Sequence, residues 1–194
     1  MNEITEYYNQ NAQAVSRESL ARREREALST FRSHLTAGAR VLDAGCGAGH
    51  DLRWFTAEGF AAEGIDFSDA LVDVAQGTGL EARVRDLRLA DFAAGTFDGI
   101  WCNRVLMHLS IEDCHRVLGI FFKALKPRGV LFVSFIEGAG SENGSGGGPG
   151  PRVFRFAHEG FLSLLRQSGF TLILKGEREE PGGEKWVGIF ARRA

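Results

Sequence analysis

Val41-Leu42-Asp43-Ala44-Gly45-Cys46-Gly47-Ala48-Gly49 reads as an apolar strand running into a glycine-rich turn at the start of a helix. Glycines in that place let a ligand approach the backbone closely, so the stretch predicts a nucleoside site at a strand end. Spacing separates the kinds of site built this way. A phosphate loop needs Gly-x-x-x-x-Gly-Lys-Ser/Thr, which is absent. A dinucleotide fingerprint, Gly-x-Gly-x-x-Gly/Ala, needs a small sixth residue where the helix packs on the strand. His50 stands there, and the pattern is instead Asp43, Gly45, Gly47 and Gly49 at alternate positions.

On either side, apolar runs alternate with helical periodicity. Strands are expected at Arg40–Ala44, Phe60–Asp66, Glu81–Arg85, Phe97–Cys102 and Gly129–Ile136. Helices are expected over residues 2–35 (in one segment or two), about 49–58, from Ser68 or Asp69 to Gln76, over Glu112–Leu125 and near 157–167. Phe170–Lys175 and Lys185–Arg192, joined across Glu180-Pro181-Gly182-Gly183-Glu184, predict an antiparallel hairpin. Strands alternating with helices imply an α/β fold with a doubly wound, mostly parallel, Rossmann-like sheet. Residues 138–150, rich in glycine and serine, predict a flexible loop with no packing content.

At 194 residues the chain is expected to form one domain with a sizeable core. A net charge of -2 gives no reason to expect nucleic acid or an anionic membrane surface as partner. No apolar run approaches a membrane span, and the opening residues lack a signal-peptide pattern. Cys46, Cys102 and Cys114, odd in number and far apart, suggest reduced thiols and a cytoplasmic location. Cys114-His115 has no second ligand pair, so no metal site is expected. The mixed charges from Arg17 to Glu26 read as a solvated helix face.

A second landmark is Gly64-Ile65-Asp66-Phe67-Ser68. An acid at the carboxyl end of the next strand can accept hydrogen bonds from ribose hydroxyls, in a dinucleotide or in a methyl donor. Phe67 offers an aromatic face for adenine, or a core aromatic. Together with Phe97-Asp98-Gly99-Ile100-Trp101-Cys102 and Leu125-Lys126-Pro127-Arg128-Gly129-Val130-Leu131, these residues resemble the class I S-adenosylmethionine-dependent methyltransferases. Leu125–Leu131 looks like the family's Leu-Lys-Pro-Gly-Gly entry to strand five, with Arg128 replacing one glycine. The whole chain is similar to compact bacterial members near the tellurite-resistance type.

The resemblance implies seven strands in the order 3-2-1-4-5-7-6 with strand seven antiparallel. It implies S-adenosylmethionine as cofactor, S-adenosylhomocysteine as product, and a small-molecule acceptor bound by a monomer or homodimer. Residues 1–37 would form a helical lid, 38–137 the cofactor-binding core, 138–156 a loop over the acceptor pocket, and 157–194 the last helix and hairpin. Gly45, Cys46, Gly47 and Gly49 would line the methionine part, with Asp43 holding the loop or the ammonium indirectly. Asp66 would bind the ribose, with Phe67, Asp86 and Leu87 by the adenine. Cys102 and Asn103 would lie under the donor. Tyr7 and Tyr8 resemble the start of many small members, so Tyr8, Asn11 and Arg17 would close the donor site.

Methyl transfer needs alignment and dryness, and a base only where the acceptor must lose a proton. His108, after strand four, is the candidate base; a capping or packing histidine is the other reading. Arg152 and Arg155 would suit an anionic acceptor, or lie on the surface. Cys102 reads as an inert thiol, and Trp54, Trp101 and Trp186 as core. Two other classes stay open: an NAD-dependent oxidoreductase, and a binder that keeps the cofactor fold without catalysis.

Overall fold

The computed structural model describes residues 2–21, 24–143, 150–180 and 183–194. Among the described residues, seven strands form one sheet. These are β1 (Arg40–Ala44), β2 (Ala61–Asp66), β3 (Ala82–Val84), β4 (Phe97–Cys102), β5 (Leu125–Ile136), β8 (Phe170–Glu179) and β9 (Lys185–Arg193). Two further short strands, β6 (Ser141–Asn143) and β7 (Arg152–Phe154), form a separate antiparallel ribbon. The main sheet has the order β3-β2-β1-β4-β5-β9-β8. β1 through β5 are parallel, and β9 runs against both β5 and β8. With the ribbon set aside, this is the order and polarity that the resemblance implies.

Side chains alternate across the sheet because successive strand residues point to opposite faces. Leu42, Ile100, Leu131 and Ile189 join one core cluster with Phe121 of α6 (Ile111–Ala124) and Leu165 of α7 (His158–Gln167). Val41, Trp101, Phe132 and Phe190 join the opposite one with Phe31 of α3 (Arg25–Ser33) and Phe55 of α4 (His50–Ala57). Trp101 stacks on Phe132 with ring centroids 4.0 Å apart. Both faces are therefore covered, which explains why β5 is buried without a break from Gly129 to Ile136.

The N-terminal segment is three helices rather than one or two: α1 (Asn2–Gln10), α2 (Ala12–Ala21) and α3. The charged stretch from Arg17 to Glu26 therefore spans a break between helices; its Arg22 and Arg23 lie outside the described residues. Ser68 caps α5 (Asp69–Gln76), its hydroxyl accepting from the Leu71 N–H.

Two expectations about loops change. β5 begins at Leu125, directly after α6, and Arg128 holds φ at +65° where the resemblance has glycine. A left-handed non-glycine residue costs of order 1–3 kcal/mol, so the surrounding strand imposes that turn. A flexible loop with no packing content is expected over 138–150 and a loop over the acceptor pocket over 138–156, yet Ser141–Asn143 pairs with Arg152–Phe154, and Phe156 bridges to Glu137. Val153 is the reason: it is buried with Ile136 and Trp186 and ties the ribbon to the sheet. Residues 144–149 of the expected loop, and Pro181 and Gly182 of the hairpin turn, lie outside the described residues.

Candidate active site

A cleft of about 420 Å³ opens at the carboxyl ends of β1, β2 and β4. This is where strand order reverses in a doubly wound sheet, and where such folds bind ligands. Gly45, Cys46, Gly47 and Ala48 form its floor. Gly45 has φ +85°, and a Cβ there would stand 2.2 Å from Val105 Cγ2. Gly47 has φ +51°, and a Cβ there would meet nothing within 4 Å. The first glycine is demanded by the protein; the second faces space where a ligand can lie.

Asp66 organises that floor. Its Oδ2 accepts the Gly47 N–H at 2.9 Å and its Oδ1 the Ser68 N–H at 2.9 Å. Burial raises its pKa, and the backbone hydrogen bonds from Ser68 and Gly47 oppose the rise. Each carboxylate oxygen keeps a second lone pair for a ligand. Asp43 is fully buried at the end of β1, and its Oδ2 has no hydrogen-bond partner among the described residues. Burial first, then the nearby Asp51 and Asp66 carboxylates, push its pKa well above the usual range. A cationic ligand in the cleft would relieve both costs. An orphaned buried oxygen, an open glycine and an acidic rim fit a sulfonium donor that also carries an ammonium group.

Tyr8 reaches into the cleft from α1, edge-on to Phe67 at 5.6 Å between centroids. Its hydroxyl lies 2.6 Å from His108 Nε2. His108 Nδ1 lies 3.2 Å from the Arg152 carbonyl. A carbonyl only accepts, so Nδ1 carries a proton. Burial lowers the His108 pKa to about 4, so the ring is neutral at pH 7 and Tyr8 donates to Nε2. Burial, and then Asp66, raise the Tyr8 pKa above its ordinary value. Two more contacts dock the N-terminal helices. Ser68 donates to Asn9 Oδ1 at 2.6 Å, and His50 Nε2 donates to the Ser16 carbonyl at 2.8 Å.

A family model described as a methyltransferase domain matches residues 10–175. The chain belongs to the class I S-adenosylmethionine-dependent methyltransferase family. A curated relative is the ubiquinone biosynthesis O-methyltransferase of Xanthomonas oryzae pv. oryzae, 39% identical over 108 residues. That match covers 52% of this chain and 44% of the relative, so the chain matches less than half of the relative's length. Among solved structures, Burkholderia thailandensis 1,6-didemethyltoxoflavin-N1-methyltransferase, with its substrate and S-adenosylhomocysteine bound, is 22% identical with a TM-score of 0.78. The alignment covers 100% of this chain and 86% of that one. A TehB-like S-adenosylmethionine-dependent methyltransferase from Corynebacterium glutamicum is 21% identical with a TM-score of 0.74, covering 98% of each chain.

Most of the residues singled out from the sequence converge. Asp43, Gly45, Cys46, Gly47, Asp66, Phe67, Leu87, Asn103, Tyr8 and His108 all line the cleft. Gly49 caps α4 behind it, where a Cβ would meet Leu80 at 2.6 Å. Cys102 does not line the cleft with Asn103: it is fully buried, and burial pushes its thiol pKa up, as befits an inert strand-end cysteine. Asn11 does not line the cleft: it sits in the turn between α1 and α2, and its side chain donates to the Tyr7 carbonyl.

Four further expectations about side chains change. Asp86 does not line the cleft: it accepts from the Arg88 N–H and side chain, and Arg88 also reaches Asp113. Arg17 is exposed on α2, whose Val15, Glu18 and Ser19 reach the cleft instead. Arg155 does not face the acceptor region, because its guanidinium pairs with Glu142 and Glu184. Arg152 contributes its carbonyl to His108 while its side chain is exposed.

Sequence reasoning missed Arg104 and the place of Trp186. Trp186 is buried, yet it lines the cleft. The Arg104 guanidinium lies 4.2 Å over its ring and pairs with Glu24 and Glu180. Arg104 holds φ at +60°, and its N–H donates to Ser134 Oγ at 2.7 Å. Glu24 and Glu180 lie far from Arg104 in sequence, so no local pattern signals the cluster.

Proposed function

We propose that this chain transfers the methyl group of S-adenosylmethionine to a small-molecule acceptor. The observation that carries the reading is the glycine floor rimmed by Asp43 and Asp66. When bound there, S-adenosylmethionine supplies an electrophilic methyl on a positively charged sulfur, open to in-line displacement.

In this reading Asp66 receives the ribose hydroxyls on its remaining lone pairs while its backbone bonds keep the carboxylate fixed. Phe67 and Leu87 flank the adenine. The Asp86 carboxylate, committed to Arg88, leaves that task to neighbouring groups. Asp43 neutralises the ammonium end from below the loop. α1 and α2 form the lid, and Tyr8 and His108 line the acceptor side with Met107, Val153 and Trp186. Residues 38–137 act as the cofactor-binding core, and the β6–β7 ribbon roofs the acceptor region.

A small molecule is favoured over a macromolecule because the cleft is of small-molecule size, about 420 Å³, and acidic. Names of relatives support the same scale of acceptor: the Xanthomonas relative is named for ubiquinone biosynthesis, and the Burkholderia neighbour for a toxoflavin precursor. His50 argues against a dinucleotide, since its ring fills the position of the third glycine and is bonded to Ser16.

The test is a screen of small hydroxyl, amine, thiol and carboxyl acceptors with methyl-labelled S-adenosylmethionine. Labelled product with stoichiometric S-adenosylhomocysteine is the expected result. Tight S-adenosylhomocysteine binding with no labelled product across the panel would identify a non-catalytic binder instead.

A further inference from the structure

Tyr8 and His108 are separated by 100 positions and meet inside the cleft at 2.6 Å. The Arg152 carbonyl fixes the tautomer, so the Nε2 lone pair faces the Tyr8 hydroxyl. Tyr8 Oη thus gives its proton to His108 and retains lone pairs to accept another. That is the wiring of a two-step proton path with an open end at Tyr8.

Aromatic and apolar side chains line the same cleft: Tyr7, Met107, Pro151, Val153 and Trp186. Its charge is equally specific. Among the described residues lining the cleft, Arg104 is the one lysine or arginine, and Glu24 and Glu180 already share it. Glu18, Asp43, Asp51 and Asp66 line the same cleft. A carboxylate or phosphate acceptor would meet that acidic surround without an uncommitted cation.

We propose that Tyr8 and His108 form a proton relay for a neutral aromatic acceptor, whose hydroxyl is methylated as it hands its proton to Tyr8. The proposal rests on the methyl-transfer reading above. As the acceptor oxygen bonds to the methyl carbon, the carbon–sulfur bond of the donor breaks and its electron pair stays on sulfur. The hydroxyl proton passes to Tyr8 Oη, and the Tyr8 proton passes to His108 Nε2. The products are the methyl ether, S-adenosylhomocysteine and an imidazolium that later returns its proton to solvent.

Charge makes the timing sensible. The sulfonium loses its positive charge in the same step in which His108 gains one, so the total charge of the acidic cleft does not change. A resting phenol is too weak an acid to protonate a buried histidine in advance. Its oxygen becomes strongly acidic only as the methyl bond forms, which is when a positioned base acts.

The test compares wild type, Tyr8→Phe and His108→Gln with two probe acceptors. Catechol arrives with its proton; thiophenol arrives as the thiolate in mildly alkaline buffer. Both variants should lose roughly 10²- to 10⁴-fold in kcat on catechol, and the loss on thiophenol should be at least about tenfold smaller. Equal losses on the two probes would make the pair a positioning device and overturn the relay, as would catechol rates retained within about threefold. A wild-type protein that binds S-adenosylhomocysteine in calorimetry but leaves catechol unmethylated would overturn the acceptor class. Absence of that binding would instead remove the methyl-transfer reading itself. A readout independent of turnover is the nitrogen NMR spectrum of the ligand-free protein. His108 should carry its proton on Nδ1, with an Nε2 resonance that shifts in Tyr8→Phe; a proton on Nε2 would overturn the wiring.

Discussion

Asp66 holds two backbone N–H groups from two different segments, the glycine turn and the cap of α5. Its side chain is therefore both a ligand candidate and the brace that keeps Gly47 in place. Asp66→Ala should weaken S-adenosylhomocysteine binding by about 1.5–3 kcal/mol, the range for hydrogen bonds to a charged group. Unchanged affinity in calorimetry would show that the ribose is bound elsewhere. His108 gives a second prediction with a definite sign. Its pKa falls from 6.5 to about 4 on folding because burial disfavours the imidazolium. Above pH 6.5 the ring is neutral in both folded and unfolded chains, and its contribution to stability is fully present. Between about pH 6.5 and 4 the unfolded chain binds a proton that the native chain refuses, so that contribution is lost as pH falls, by roughly 3 kcal/mol. Urea unfolding of wild type and His108→Gln across this window should show their difference shrinking towards acid pH. A pH-independent difference would mean that the buried ring does not titrate as described.

Secondary elements explain why some of the site was legible in the sequence and some was not. β1, β2 and β4 carry their cleft residues at their carboxyl ends, so a correct strand assignment places Asp43, Asp66 and Asn103 at once. The alternation of Ile100 and Trp101, or of Leu131 and Phe132, between opposite core clusters follows from the pleat. The β6–β7 ribbon was illegible because Ser-Glu-Asn has no strand propensity of its own. It forms because Val153 is buried beside Ile136 and Trp186, and because Arg155 bridges Glu142 and Glu184. Those partners are 13 and 29 positions from Arg155, beyond any local pattern. A longer separation, 76 positions to Glu180, hid the Arg104 cluster. Arg155→Ala should loosen the ribbon while leaving the main sheet intact. The expected outcome is faster tryptic cleavage after Arg152 in β7 and a Tm lower by about 2–4 °C, since partly exposed ion pairs are worth about 1 kcal/mol. Cleavage at the wild-type rate would show that Val153 alone holds the ribbon.

The whole molecule joins a covered, mostly parallel sheet to N-terminal helices docked by Tyr8, Asn9 and Ser16. Among the described residues no helix is long and apolar enough to cross a membrane, and the three cysteines are buried and free. The acidic rim sits at the point where strand order reverses, so architecture and electrostatics select the same place for a cationic nucleoside. Isothermal titration of the intact protein with S-adenosylhomocysteine and, separately, with NADH tests this most directly. One S-adenosylhomocysteine per chain, displaced by S-adenosylmethionine, and no heat from NADH are the expected result. Saturable NADH binding without S-adenosylhomocysteine binding would contradict it.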